Sequence, residues 1–491
     1  MNENVVIAGG GITGLMLAYE LGLAGVEAVV LEAACEPRRD KPAGAMNTTC
    51  VELLEQRGLM DGLADGYIPF PTAHFAMSWL DTSALQGWFN VVVDEARVCD
   101  MLREAAAGRG AKILFGHRVT GVDQDEDGVR VRVSTGNGEH AVSGRYLVGC
   151  DGENSAVRQS AGIAFPGTEH RFYGLVGDVA VDMDELEPGQ AGAARYPNGG
   201  LYMGGPIGPG TLRVVTARFG AQPPEPDSPV GEAELVAQVE EITGTVLKVG
   251  ETLWLSRYGF STRHAERYRS GRVFVCGDAA HTFFPLGGQR LNTCIQDAVN
   301  LGWKLAADIH GWAPPALLDS YHAERHATGE RACRLTAAQA ALLASTDGAE
   351  DLRELLATLA GYPEVNNYLL EFVTGLDVRY PMPGAPAHRL LGMRPGPVPL
   401  TTPTGTTTLP ATLHPGRGVL LDLSAGQLDL TPAAAWHDRV DVHTAEPTDA
   451  LDAAALLLRP DGHVAWAADS GAPDPAGLTG ALTTWLGSPT S

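Results

Sequence analysis

Apolar and polar positions alternate in a way that divides the chain into segments. Val5-Val6-Ile7-Ala8 is a short β-prone run that passes into Gly9-Gly10-Gly11-Ile12-Thr13-Gly14. Beyond it Leu15, Ala18, Tyr19, Leu21 and Gly22 follow helical spacing, and Val29-Val30-Leu31 forms a second buried strand ending at Glu32. This pattern predicts a βαβ unit. Arg97 to Ala106 reads as helix, while Lys112 to Phe115 and Val129 to Ser134 read as strands, the latter following the Asp127-Gly128 turn. Arg145 to Val148 then runs into Cys150-Asp151-Gly152.

The texture changes near Ala164. Phe172 to Val181, Gly200 to Met203 and Leu212 to Phe219 alternate and carry glycine and aromatic residues, which predicts a mostly antiparallel sheet inserted as a substrate-covering domain. Pro223, Pro224, Pro226 and Pro229 mark a surface loop within it. From Val273 the nucleotide-domain texture returns. Leu291 to Ile309 predicts a long helix with Leu291, Ile295, Ala298, Val299, Gly302 and Leu305 on one face, and helical sequence continues to about Phe372. Nine prolines and a threonine-rich patch between Tyr380 and Gly418 read as a linker. The remainder, with runs at Val419 to Leu423, Leu456 to Leu458 and Gly462 to Trp466 and a final helix from Ala476 to Leu486, predicts a small α/β domain.

Composition narrows the class. At 491 residues the chain exceeds one ordinary core, and roughly 150 residues per domain suggests two to four. With 44% hydrophobic and 19% charged residues it is globular. A net charge of -24 argues against a nucleic-acid partner. The apolar stretch Val5 to Gly25 has no basic residues before it and is broken by glycines, so it reads as strand and helix rather than a targeting signal. No run has the length of a membrane span, and a cytoplasmic location is expected. Seven widely spaced cysteines without metal-ligand spacing read as buried reduced thiols.

Three motifs carry chemistry. Gly9, Gly11 and Gly14 form GxGxxG between strand and helix, where backbone N–H groups can approach a diphosphate at the helix N-terminus. Glu32, closing the second strand, is placed to accept hydrogen bonds from adenosine ribose hydroxyls, and a 2'-phosphate there would be repelled. Gly277-Asp278-Ala279-Ala280-His281 follows the buried strand Val273 to Cys276, and Pro285-Leu286-Gly287-Gly288-Gln289 leads to a helix starting near Asn292. Asp278 could hold ribityl hydroxyls, while the positive end of that helix would stabilise a reduced flavin. Without the upstream fingerprint, Asp278 reads as a capping residue, and His281 reads first as a packing residue.

With Asp151-Gly152-Glu153-Asn154-Ser155-Ala156-Val157-Arg158 and Gln296-Asp297-Ala298-Val299-Asn300-Leu301, these segments resemble the class A FAD-dependent aromatic hydroxylases, the p-hydroxybenzoate hydroxylase-like family, in its aromatic polyketide branch. The resemblance spans essentially the whole chain. It implies an α/β protein: a Rossmann-like FAD-binding domain (1–165 and 269–385), an inserted antiparallel β-sheet substrate domain (166–268), and a thioredoxin-like C-terminal domain (386–491). That last domain contains no cysteine, so thiol redox chemistry is excluded and packing or dimer contacts are expected.

The resemblance further implies FAD as cofactor and NADPH or NADH as transient reductant. Dioxygen would form a C4a-hydroperoxyflavin that oxygenates a polycyclic aromatic polyketide. Aromatic hydroxylation is the leading expectation, with Baeyer–Villiger or another oxidative rearrangement, or a flavoprotein binding partner without oxygenation, as alternatives. A homodimer is also considered. By resemblance, the cofactor site comprises Gly9, Gly11, Thr13, Gly14, Glu32, Lys41, Arg97, Asp151, Gly152, Arg158, Gly277, Asp278, Pro285, Gly288, Arg290, Leu291 and Asn292. Arg158 would link diphosphate and pyridine-nucleotide binding. Phe75, Tyr202 and Phe283, with Trp79 and Trp88, are candidate pocket aromatics.

Two positions depart from the family pattern. Residues 38–46 lack the Ser-Arg-Ala-type loop, and Lys41 stands in as a point charge without the planar fork. Arg290 replaces the glycine of Gly-Gly-Gln-Gly-(Met or Leu)-Asn. An exposed cation at a helix N-terminus is unfavourable by roughly 0.3–1 kcal/mol. A compensating anion or an exit to solvent is therefore expected, and Arg290 is a candidate modulator of the reaction.

Overall fold

The computed structural model describes residues 2–37, 43–63, 66–83, 85, 90–222, 228–344, 349–385, 387–469 and 474–490. Its first strand, Asn2–Ala8, pairs in parallel with Ala28–Leu31 on one side and Gly138–Gly149 on the other, so that Val6 lies between Val29 and Leu147. The path Arg269–Ser270, Val273–Val275, Gly138–Gly149, Asn2–Ala8, Ala28–Leu31, Lys112–Leu114 completes the central sheet, and an antiparallel extension, Arg118–Gln124 and Val129–Thr135, joins it through Gly138–Gly149. Val5, Val6, Ile7 and Val30 are wholly buried. Strands of a parallel sheet are covered on both faces, which explains why these runs are continuously apolar rather than alternating.

The helix Ile12–Leu23 lies between this sheet and the helix Gln289–Ile309, and its Leu15, Met16, Leu17 and Ala18 have no exposed surface. A helix covered on every side must be apolar all round. The predicted long helix begins two residues earlier than its apolar spacing indicated, at Gln289. The helical region beyond resolves into Leu317–Leu343, Ala349–Ala360 and Pro363–Thr374.

The expected antiparallel sheet has five strands in the order Gly192–Arg195, Gly200–Gly208, Thr211–Phe219, Phe172–Ala180, Glu251–Tyr258. One face packs Leu175, Tyr202 and Val214 against Leu235, Val239 and Ile242 of the helix Glu232–Thr243, which the apolar pattern had not indicated. Its other face packs Phe172, Leu201 and Ala217 against Phe284 and Leu286 of the segment running from Gly277-Asp278 to Gln289 (the GD segment, opening with the GD turn) and against Ala340 and Leu343. The sheet thus forms a wall opposite the nucleotide domain. Of the proline-marked loop, residues 223–227 lie outside the described residues.

The C-terminal unit is a four-stranded mixed sheet, Val440–Thr444, Gly418–Asp422, Ala455–Leu458, Val464–Ala468, with the helix Pro475–Leu486 on one face. This is the expected thioredoxin-like arrangement. Trp466 and Trp485 pack with Trp303 of the long helix, so its core is continuous with the FAD-binding part. The turn at Arg459–Asp461 enters that part deeply. Arg459 donates to Glu324 at 2.6 and 2.9 Å, and Lys304 donates to the same carboxylate at 2.7 Å, all three side chains being essentially unexposed.

Candidate functional site

Two helices begin at glycines. Gly11 caps Ile12–Leu23 and Gly288 caps Gln289–Ile309, and neither provides a side-chain acceptor for the terminal N–H groups. Such a terminus presents partial positive charge to whatever lies in front of it. A Cβ on Gly14 would lie 2.0 Å from the Gly9 carbonyl oxygen, so this position admits no side chain, whereas Gly11 faces open space suited to a diphosphate. Gly277, at φ +65°, brings the GD turn against the fingerprint helix: a Cβ there would lie 2.5 Å from Thr13 Oγ1.

The carboxylates of the three motifs are differently engaged. Glu32 Oε2 accepts the Gly10 N–H at 2.6 Å and Oε1 accepts the Ala34 N–H at 2.8 Å, which holds the carboxylate beside the glycine turn. Asp151 Oδ2 accepts the Val157 N–H at 3.2 Å, while its Oδ1 is buried without a partner. Burial pushes this carboxyl above the ordinary aspartate value. A buried acceptor lacking a donor is a place where a ligand hydroxyl fits. The open face of Gly11, the uncapped helices and this orphaned oxygen together match the diphosphate and hydroxyls of FAD.

Arg158, 5% exposed, is a tie between motifs. It donates to the Ala279 carbonyl at 3.0 Å and the Glu153 carbonyl at 2.8 Å, and its guanidinium lies 3.9 Å from the Phe165 ring centroid. The GD turn is held from behind as well. Asp297 Oδ2 accepts the Gly277 N–H at 3.0 Å and contacts His281 Nε2 at 2.8 Å, and Oδ1 accepts Arg325 Nε at 2.6 Å. Arg325 also donates to Tyr380 Oη at 2.9 Å. His281 is therefore a packed, hydrogen-bonded residue beneath the turn. Arg325 and Tyr380 were not singled out from the sequence. A lone arginine in a helical run carries no sign that it faces inward.

Arg290 has the anion its position called for. Its Nε lies 2.9 and 2.8 Å from the two oxygens of Asp278, and Nη2 donates to Oδ2 as well. Burial alone would raise the Asp278 carboxyl, but the adjacent guanidinium outweighs it and holds the group below its ordinary value. The Arg290 side chain is 57% exposed, so it also has its exit to solvent.

The remaining expected positions are less uniform. Asn292 Oδ1 accepts the Asn47 N–H at 2.9 Å, and its amide donates to Gly288 O at 2.6 Å and to Ala45 O at 3.2 Å, tying the helix start to the Ala43–Met46 strand. Leu291 packs over Gly44, and Pro285 is exposed. Gly152 has φ +80° at the turn of the Asp151-Gly152 (DG) motif. Arg97 is exposed and crowds Gly66. Lys41 and Trp88 lie outside the described residues.

The expected pocket aromatics do not converge. Tyr202 is fully buried on the helix-facing side of the five-stranded sheet and donates to Gln190 O at 2.8 Å, because strand alternation turns it away from the GD segment. Phe283 packs with Ala332 and Cys333, stacked on His281, while Phe75 lies against Leu335 and Leu370. The wall facing the GD segment is instead built from Phe172, Phe219 and Phe260, whose ring centroids lie 5.6, 5.6 and 4.7 Å from that of Phe284.

This architecture is that of a flavin-dependent hydroxylase. The FAD binding domain family matches residues 2–336 and the aromatic-ring hydroxylase C-terminal family matches residues 388–489, and the chain belongs to this family of FAD-dependent enzymes. It is 49% identical to the dialkyldecalin synthase of Streptomyces rugosporus over 99% of both chains, and 42% identical to the 12-dehydrotetracycline 5-monooxygenase/anhydrotetracycline 6-monooxygenase of Streptomyces rimosus subsp. rimosus over 100% of both. The solved structure of the OxyS anhydrotetracycline hydroxylase from Streptomyces rimosus superposes with a TM-score of 0.91, at 41% identity and full coverage of both chains. Among the described residues, no helix is long and apolar enough to cross a membrane.

Proposed function

We propose that the protein is an NADPH- and FAD-dependent monooxygenase that inserts one oxygen atom of dioxygen into a polycyclic aromatic polyketide. The observation that carries this reading is the presence of two uncapped, glycine-headed helices beside a cluster of hydrocarbon rings: Phe172, Phe219, Phe260 and Phe284 pack together where the GD segment meets the five-stranded sheet. FAD supplies the electron transfer and oxygen activation. The chain supplies position and dryness. Gly11 and Gly288 head the helices that would receive the diphosphate and the reduced ring, Glu32 would hold the adenosine ribose, and Asp151 Oδ1 would accept a cofactor hydroxyl. The apolar wall would orient a flat substrate and exclude water. Mass spectrometry of products formed under labelled dioxygen from a panel of tetracyclic quinones tests this, with a single labelled oxygen expected. Products without label would overturn it.

A second reading has its own support in the 49% identity to a dialkyldecalin synthase. Here the flavin would be retained while the protein closes a ring in a polyene without adding oxygen. Conversion without NADPH and dioxygen, with product and substrate equal in mass, would select this reading. The cysteines stand as thiols rather than in disulfides, which supports a reducing, cytoplasmic setting. A homodimer is the remaining proposal, and light scattering of the purified protein tests it.

A further inference from the structure

Asp278 is the carboxylate that the FAD-site reading assigns to the hydroxylated chain of the flavin, and this inference rests on that reading. Its acceptor positions are nearly filled. Arg290 Nε bridges both oxygens, Nη2 adds a second bond to Oδ2, and the Cys294 thiol lies 3.6 Å from Oδ1. These contacts supply three hydrogens, the single Nε–H being shared between the oxygens, to a carboxylate with about four lone-pair sites, so two arriving hydroxyls must displace at least one of these donors. Of these donors the Cys294 thiol is buried within its helix, whereas the guanidinium is exposed.

The guanidinium can give way. It is 57% exposed, whereas Asp278 is 17% exposed, so on leaving the carboxylate it finds water. It stands in the first turn after the Gly287-Gly288 pair, both in left-handed conformation, and Nη1 makes no hydrogen bond among the described residues. Asp278 is fixed by the GD turn, which Asp297 holds from behind through the Gly277 N–H. The movable partner of the pair is therefore Arg290. Glu95, at the start of the helix Glu95–Gly108, adds a further attraction for the same guanidinium.

We propose that Arg290 is a cofactor-positioning residue that competes with the hydroxylated chain of the flavin for Asp278, so that FAD binds only to the fraction of molecules in which this ion pair has opened. Apparent affinity then falls by the fraction open. Because one partner is exposed, salt weakens the pair and raises that fraction.

The test compares full-length wild type with Arg290→Gly and Arg290→Gln, each freed of FAD, by fluorescence titration and stopped-flow association. At low salt both variants are expected to bind FAD about tenfold more tightly and faster than wild type, with the ratio shrinking towards one at 1 M NaCl. ADP, which lacks the hydroxylated flavin chain, is expected to bind all three proteins equally. Equal FAD affinity at low salt, weaker binding by the variants, or an ADP difference matching that for FAD would each overturn the proposal, the second by placing the guanidinium on the cofactor itself and the third by placing its effect away from the hydroxylated flavin chain. Absence of FAD binding in all three proteins would overturn the site reading along with it. Circular dichroism and melting of the variants separate these outcomes from misfolding.

Discussion

At the scale of single residues, the site depends on where carboxylates find their donors. Glu32 accepts two backbone N–H groups from the glycine turn and the segment after it, so its position is set before any ligand arrives. Replacing it by alanine is expected to raise the FAD dissociation constant at least tenfold, about 1.4 kcal/mol. Flavin occupancy after gel filtration measures this, and undiminished occupancy would remove Glu32 from the ribose assignment. Asp297 is a stronger case because it is unexposed and faces Arg325, His281 and the Gly277 N–H at once. Asp297→Asn leaves a buried guanidinium short of its counter-charge, and a loss of roughly 3 kcal/mol or more is expected from urea unfolding.

Between elements, the contact of Ser261–His264 with Leu317–Leu343 concentrates imidazoles. The His264 ring centroid lies 4.1 Å from that of His326, which is 4.7 Å from that of His322, and His264 Nε2 is 2.9 Å from Tyr268 Oη. Burial, reinforced by repulsion from His326, His281 and His322 and only partly offset by Asp297, pushes His264 down to about 3. The unfolded chain takes up this proton near the ordinary histidine value of 6.5 while the folded chain does not. Stability is therefore fully present above that value and declines as pH falls from it towards about 3. Melting temperatures between pH 7.5 and 5 are expected to fall with pH, with a shallower slope for His264→Asn. An unchanged slope would assign the acid sensitivity elsewhere.

For the molecule as a whole, the Arg459–Asp461 turn joins the C-terminal unit to the FAD-binding part. Arg459 and Lys304 converge on Glu324, and Arg57 reaches the Pro460 carbonyl at 2.9 Å while pairing with Glu20 at 2.6 Å. Burial opposes ionisation of Glu324, but the two cations outweigh it and hold the carboxyl below the ordinary value of 4.5. This contribution is present above that pH and is lost as acid is added below it. Arg459→Met removes one member of the network and leaves Glu324 and Asp461 undercompensated, an expected cost of about 3–5 kcal/mol. Thermal unfolding and proteolysis of the 387–398 connection measure it; a variant as stable and as resistant as wild type would show that Trp303, Trp466 and Trp485 suffice for docking.

Residue order alone was enough for the βαβ unit, the glycine fingerprint, the DG and GD motifs and the long helix, because each rests on local spacing: two-residue or 3.6-residue periods and glycines at tight turns. It also raised the problem of a cation at Arg290. That Asp278 answers it emerges in the folded chain, since nothing in residue order says which carboxylate will face a guanidinium across a turn. The same limit separates Tyr202 from Leu201. Both lie in one apolar strand, and which of them faces the cofactor side depends on which face of the sheet the helix Glu232–Thr243 covers. Burial of Arg325, Lys304 and Arg459 was likewise invisible along the chain, because a charge becomes an interior residue only when distant segments bring its partners to it.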